Sequence, residues 1–161
     1  MFAWIYKLMH KPVPYYARYP IWLILWKPIR KFLNVVIIPN IPFNNLRVVL
    51  YRLIGFKIGK NTFIGMRCYL DDVDPSLTII GNNVTISCCC VFAIHGKGQR
   101  HTPIIIEDDC YIGASSLLLS GKNGITIGEG SIIGGGSVVI SSILSKAVCV
   151  GNPARVVKIS Q

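Results

Sequence analysis

The chain has 161 residues, with 17 Lys and Arg against 7 Asp and Glu, a net charge of +10 and 52% hydrophobic residues. That length holds one domain and a modest second element, and a mean hydropathy of +0.51 demands a search for membrane spans. The best stretch, IWLILWKPIRKFLNVVIIP at residues 21–39, carries Lys27, Pro28, Arg30 and Lys31 at its centre, which excludes a spanning helix. The first residues show no clean apolar core followed by a small-residue cleavage site, so a cytoplasmic protein is expected.

The N-terminal third is basic and aromatic. Residues 1–60 hold ten Lys or Arg and no acid, together with all three tryptophans and five of the seven tyrosines. From residue 61 onward seven bases balance seven acids, so the whole net charge lies upstream. This shift divides the chain into an extension over 1–56 and a second domain over 57–161. Pro12, Pro14, Pro20 and Pro28 cut the extension into short pieces. Trp, Tyr, Lys and Arg in such pieces suit an anionic membrane surface; they suit packing on the second domain equally. No nucleic-acid motif accompanies the charge. NNLRVVLYRLIGF, from residue 44, predicts a helix with Leu46, Val49, Leu50, Leu53 and Ile54 on one face. Asn44 or Asn45 is its expected cap and Gly55 its stop. That helix is expected to cover the open end of the second domain.

From Ile58 the chain reads in sixes: IGKNTF, IGMRCY, IGNNVT, ISCCCV, IEDDCY, IGASSL, IGEGSI and IGGGSV. The first residue is always Ile. The fifth is always small or β-branched: Thr62, Cys68, Val84, Cys90, Cys110, Ser116, Ser131, Ser137. A helix returns to one face every three or four residues, and a simple strand would not confine small residues to one slot in six. A coil with three flat sides accounts for both. The Ile points inward and stacks on its equivalents, the fifth residue fills a tight corner, and the second-position Gly permits a tight turn or a close backbone approach. The fold expected is an all-β solenoid of parallel strands whose coils bury their core against each other. Three of the six cysteines occupy the small slot and read as core fillers. No C-x-x-C pair suggests zinc, and no metal is expected.

With IGGGSVV followed by VGNPARVVK, the chain resembles the hexapeptide-repeat acyltransferases. The branch is that of the galactoside, maltose and streptogramin acetyltransferases and the O-acetyltransferases of capsule and O-antigen sugars. The resemblance covers about residues 46–158 and implies a left-handed parallel β-helix, a homotrimer with sites between neighbouring prisms, and acetyl-CoA as donor. It also implies an acceptor sugar, free or lipid-linked, in surface polysaccharide synthesis.

One place breaks the rule of six: FAIHGKGQRHTPIII, residues 92–106. In the resembled family a loop here carries a histidine that serves as general base. His95 matches it, but the aspartate that usually follows is Gly96. Orientation of the imidazole must then come from elsewhere, a backbone carbonyl or another subunit. His101, in RHTPIII, is the rival base or an acceptor contact. A second break, YLDDVDPSL at 69–77, offers Asp71 and Asp72 for acceptor hydroxyls or for steering His95, or else as turn acids. For CoA the resemblance implies Ala114, Gly135, Arg155 and Lys158. Its usual Thr-Lys pair is Ile140 and Ser141 here, with Lys146 as a substitute. Three activities remain open: O-acetyl transfer to a sugar, N-acetyl transfer to an amino sugar or amino acid, and a non-catalytic solenoid scaffold.

Overall fold

The computed structural model describes residues 8–10, 21–96 and 101–159. From Lys57 onward the chain winds as a left-handed parallel β-helix. One side stacks β1 (Lys57–Ile58), β4 (Thr78–Ile80), β7 (Ile104–Ile106) and β10 (Ile125–Ile127). The second stacks β2 (Phe63–Ile64), β5 (Thr85–Ile86), β8 (Tyr111–Ile112), β11 (Ile132–Ile133) and β13 (Ala147–Val150). The third stacks β3 (Tyr69–Leu70), β6 (Val91–Ala93), β9 (Leu117–Leu119) and β12 (Val138–Val139). A last strand, β14 (Arg155–Ile159), turns back antiparallel on β13 and closes the second side.

The repeat rule maps onto this geometry. Seven of the eight repeat isoleucines, Ile64 to Ile133, are buried, and Ile58 of the first coil packs against the cluster half-buried. All eight fifth-position residues are buried, and most do more than fill space. Thr62 Oγ1 donates to the Gly81 carbonyl (2.9 Å), Cys68 Sγ to Ser87 (3.0 Å), Cys90 Sγ to Gly113 (3.2 Å) and Cys110 Sγ to Gly128 (3.1 Å). The corner selects residues that are compact and carry a donor for the next coil.

Of the two roles expected for the second-position glycine, the structure assigns one. A Cβ on Gly113 would lie 2.4 Å from the Gly135 nitrogen, so stacked coils require its absence. The tight turn falls two residues later, at the fourth position, where Asn61, Arg67, Asn83, Cys89, Asp109 and Ser115 all have φ between 53° and 60°. That left-handed conformation is uncommon outside Gly, Asn and Asp. Its recurrence shows that inter-coil bonding outweighs the local cost. The acids Asp108 and Glu107 also serve the coil stack. Asp108 accepts from Asn82 at 2.7 and 3.0 Å and is held below the usual carboxylate range by those bonds; Glu107 accepts from the Glu129 amide at 2.8 Å.

The open end of the first coil is covered by two helices, α1 (Ile21–Phe32) and α2 (Asn44–Leu53), joined by a π-helical turn over Leu33–Ile37 and a short 3-10 turn. Their contact adds polar bonds to the apolar packing of Ile38, Val48 and Ile54 on the core. An uncovered coil leaves a row of strand carbonyls without partners, and buried carbonyls need donors. Arg52 donates to Ile58 (3.0 Å) and Gly59, Asn44 to Thr62 (3.1 Å), Arg47 to Ile64 (2.7 Å), Tyr51 to Cys68 (3.3 Å), Asn34 to Leu70 (2.7 Å) and Arg30 to Asp72 (2.6 Å). The face of α2 expected from its leucines is therefore rotated. Arg47, Val48, Tyr51 and Ile54 are buried, whereas Leu46, Val49 and Leu53 are exposed. Asn44 does not cap the helix; its Oδ1 accepts from the Ile64 amide (3.0 Å). Gly55, at φ 113°, ends the helix as expected. Burial holds the Arg47 guanidinium below its ordinary pKa and pushes the Tyr51 hydroxyl up.

Candidate active site

The break in the repeat lies on the third side of the prism. Strands β3 and β6 are neighbours there, with Tyr69 opposite Val91 and Leu70 opposite Phe92. Both strands end in irregular chain at the same edge, so register brings Asp71, just past β3, against the segment just past β6. Asp71 is completely buried and all its acceptor capacity is directed inward. Oδ1 accepts from the Val73 amide (3.1 Å), and Oδ2 accepts from the Ile94 amide (3.0 Å) and meets His95 Nδ1 at 2.5 Å. An ionised carboxylate only accepts, so Nδ1 carries the proton and the lone pair of Nε2 faces outward. The His95 side chain is 48% exposed.

This geometry replaces two expectations. The imidazole is oriented by the chain's own Asp71, and neither a backbone carbonyl nor another subunit is needed. Asp71, with no exposed surface, does not reach an acceptor and is a positioning residue rather than a substrate contact. Asp72 is buried as well. Its carbonyl is taken by Arg30, and its Oδ1 lies 3.5 Å from the Tyr69 hydroxyl. Tyr69 is pushed up to about 12 by burial first and then by the charges of Asp71 and Asp72, so it stays a neutral donor.

The loop returns at Thr102, whose amide donates to the Ile94 carbonyl (3.2 Å) and whose hydroxyl donates to the Gly121 carbonyl (2.7 Å) while lying 2.8 Å from Ser120 Oγ, a hydroxyl able to donate in turn. This fastens the break to the coil below. His101 stands edge-on to His95, with ring centroids 6.2 Å apart. Lys97, Gln99 and Arg100 of the same loop lie outside the described residues. A cavity of about 350 Å³ opens at His95. It is lined by Ala93, Gly96, Leu119, Ser120, Gly121 and Ile140, and so runs down the same edge across three coils.

The positions implied for CoA lie elsewhere on the prism. Ala114 and Gly135 precede β9 and β12 and stack at the opposite edge of the third side, where a Cβ on Gly135 would meet the Ala114 carbonyl at 3.2 Å. Arg155 adjoins this corner through its pairing with Val150, which touches Gly134; Lys158 pairs with Val148 further along, and both are exposed. Within one chain the structure brings His95 together with Asp71, Asp72 and His101. It does not bring His95 together with Ala114, Gly135, Arg155 or Lys158. Lys146 is not beside the position of the missing Lys, Ser141, in this chain: it turns the corner just before β13, stacked on Gly130, while Ile140 and Ser141 leave β12 at the edge beneath His95. Among the described residues no group of His, Cys, Asp and Glu is placed to hold a metal ion.

A left-handed β-helix whose repeat break presents a carboxylate-held histidine defines the class of protein, and sequence comparison places the chain within it. Residues 56–88 and 103–141 match the pattern described as "Hexapeptide repeat of succinyl-transferase". Over those residues the chain carries the repeat that marks the hexapeptide-repeat family. A putative acetyltransferase of Schizosaccharomyces pombe is 34% identical over 116 residues, covering 65% of this chain and 54% of that protein. A 2,3,4,5-tetrahydropyridine-2,6-dicarboxylate N-acetyltransferase of Staphylococcus aureus is 36% identical over 78 residues, covering 48% of this chain and 31% of that protein. The chain thus spans about half or less of the length of these curated relatives. Among solved structures, a hexapeptide-repeat acetyltransferase of Vibrio cholerae O1 biovar eltor, complexed with acetyl coenzyme A, superposes with a TM-score of 0.70 over the whole of both chains at 24% identity. That likeness is one of fold.

Proposed function

We propose that the protein is an acetyl-CoA-dependent O-acetyltransferase acting on a sugar hydroxyl, with His95 as general base. The observation that carries this reading is the 2.5 Å contact of His95 Nδ1 with buried Asp71, which leaves Nε2 free at the mouth of a cavity. A neutral hydroxyl is a poor nucleophile at neutral pH, and imidazole takes its proton as the new bond forms. The resulting imidazolium is stabilised by Asp71, which holds one tautomer throughout. Such assistance is worth roughly 10² to 10⁴ in rate. Bound acetyl-CoA supplies the thioester carbon that the hydroxyl attacks. Ala114 and Gly135 leave an open corner for its pantetheine arm, and exposed Arg155 and Lys158 suit its phosphates.

Those residues stand across the third side from His95, so a complete site requires a second copy. A homotrimer supplies one. An outward column in register on the second side, Phe63, Thr85, Tyr111, Ile132 and Val148, offers a largely apolar face for that contact. Exposed Trp22, Leu25, Ile29 and Phe32 form one stripe along α1. Together with the acid-free charge of residues 1–60, the stripe supports peripheral contact with an anionic membrane surface. Among the described residues no helix is long and apolar enough to cross a membrane.

The sugar reading rests on the likeness of the loop and of VGNPARVVK to sugar O-acetyltransferases. Transfer to an amine is the alternative that the staphylococcal relative represents. Acetylated product from a panel of sugars, amino sugars and amino acids, analysed for ester against amide, tests the assignment. Hydroxylamine-labile esters are expected. Exclusive amide formation establishes the alternative, and absence of both products with every acceptor favours a scaffold.

A further inference from the structure

A second cavity, of about 570 Å³, has on its wall His101, whose ring centroid is 6.2 Å from that of His95. Its walls are Lys27, Pro28, Arg30 and Lys31 of α1, with Asp72, Val73 and His101 of the prism. The wall holds three basic side chains, and its carboxylate, Asp72, is turned toward the Tyr69 hydroxyl and 7% exposed. Arg30 is fixed in place by its bond to the Asp72 carbonyl, yet its Nε is buried without a hydrogen-bond partner. No carboxylate of the described residues lies within ion-pairing distance of Arg30 or Lys31. A guanidinium fixed through one nitrogen, with lysines beside it on a cavity wall, is the arrangement that receives an anion of several oxygens. The cavity also lies near the chemistry. Asp72 follows the residue that holds His95, and the His101 ring on the cavity wall is 6.2 Å from the His95 ring, roughly the width of one sugar ring.

We propose that this cavity is an acceptor subsite for phosphate, and that the protein acetylates sugars that carry a phosphate or diphosphate at one end. The inference rests on the acetyl-transfer reading and names its substrate class. Lys27, Arg30 and Lys31 hold the phosphate oxygens, and the attached sugar ring crosses His101 to bring a hydroxyl to His95 Nε2. The apolar stripe is carried by the same helix, so a lipid-borne sugar diphosphate enters from the surface on which α1 rests.

The test has a binding arm and a kinetic arm, both on the full chain. Inorganic pyrophosphate is titrated while the imidazole resonances of His101 are followed by NMR, in wild type and in Lys27→Ala/Lys31→Ala. The site predicts saturable shifts of His101 and at least a tenfold weaker affinity in the variant. CoA affinity is the folding control. No shift, or equal affinities, overturns the proposal. KM is then compared for a neutral sugar, its sugar phosphate and its lipid-diphosphate form. The phosphorylated acceptors should have at least tenfold lower KM than the neutral sugar, a gap that closes in the variant. A further fall for the lipid form in anionic vesicles identifies the membrane as the source, whereas equal KM values for soluble and lipid forms identify a soluble sugar phosphate. Neutral and phosphorylated sugars accepted alike overturn the subsite and leave acetyl transfer standing. Pyrophosphate bound with no transfer to any acceptor supports the anion site and refutes the activity.

Discussion

Asp71→Asn is the substitution that separates orientation from chemistry at this site. The asparagine has nearly the same volume but one acceptor oxygen in place of two. Asp71 accepts three hydrogen bonds, two of them through Oδ2. The amide oxygen therefore takes the Oδ2 position, toward Ile94 and His95, and the amide nitrogen then faces the Val73 amide, donor against donor. This has two costs. One buried amide loses its partner, which destabilises the fold by about 1 to 3 kcal/mol. The bond to His95 changes from charge-assisted to neutral, a loss of about 1 to 2 kcal/mol in holding the imidazolium of the transition state. At about 1.4 kcal/mol per tenfold, kcat/KM for acetyl transfer should fall roughly 5- to 30-fold, less than the roughly 10² to 10⁴ expected for His95→Ala. The assay is initial-rate CoA release at saturating acetyl-CoA, with urea unfolding in parallel. Because Asp71 acts through His95, the double variant should be no slower than His95→Ala alone. Independent, multiplicative losses refute the positioning role, as does an Asp71→Asn enzyme within twofold of wild type.

Other consequences concern the scaffold. Of six free thiols, only Cys88 and Cys89 are exposed, and burial pushes those of Cys110 and Cys149 up. Iodoacetamide should modify two cysteines in the native protein and six after unfolding; a third native adduct contradicts the corner packing. Gly113→Ala puts a methyl 2.4 Å from a backbone nitrogen and should cost about 1 to 3 kcal/mol or more in urea unfolding, whereas no effect refutes the coil spacing. Arg47→Met strands the Ile64 and Ile41 carbonyls and should cost at least about 2 kcal/mol. A neutral result contradicts the polar cap.

The prism was legible because its rule is local and repeated. Ile at the first position and a small residue at the fifth describe one coil corner eight times over. What the rule does not encode is where hydrogen-bonding capacity goes. The face of α2 was misassigned because Arg47 counts as polar in any amphipathic pattern, yet the exposed edge of the first coil needs donors more than it needs leucines. Asp71 was noticed as an acid near the acceptor side. Its role depends on Tyr69 and Leu70 stacking on Val91 and Phe92, a relation visible on aligning YLD with VFA and extending both by two residues. Lys146 failed as a donor contact for the same kind of reason: a few residues along the chain carry it around a corner of the prism.

Whether the break in the repeat presents His95 as the base is decided by acceptor-dependent CoA release from wild type, His95→Ala and His101→Ala. His95→Ala should lose about 10² or more in kcat with acetyl-CoA binding retained. His101→Ala, on the wall of the second cavity, should act chiefly through acceptor KM. A full loss of kcat in His101→Ala, with His95→Ala near wild type, contradicts the assignment of His95.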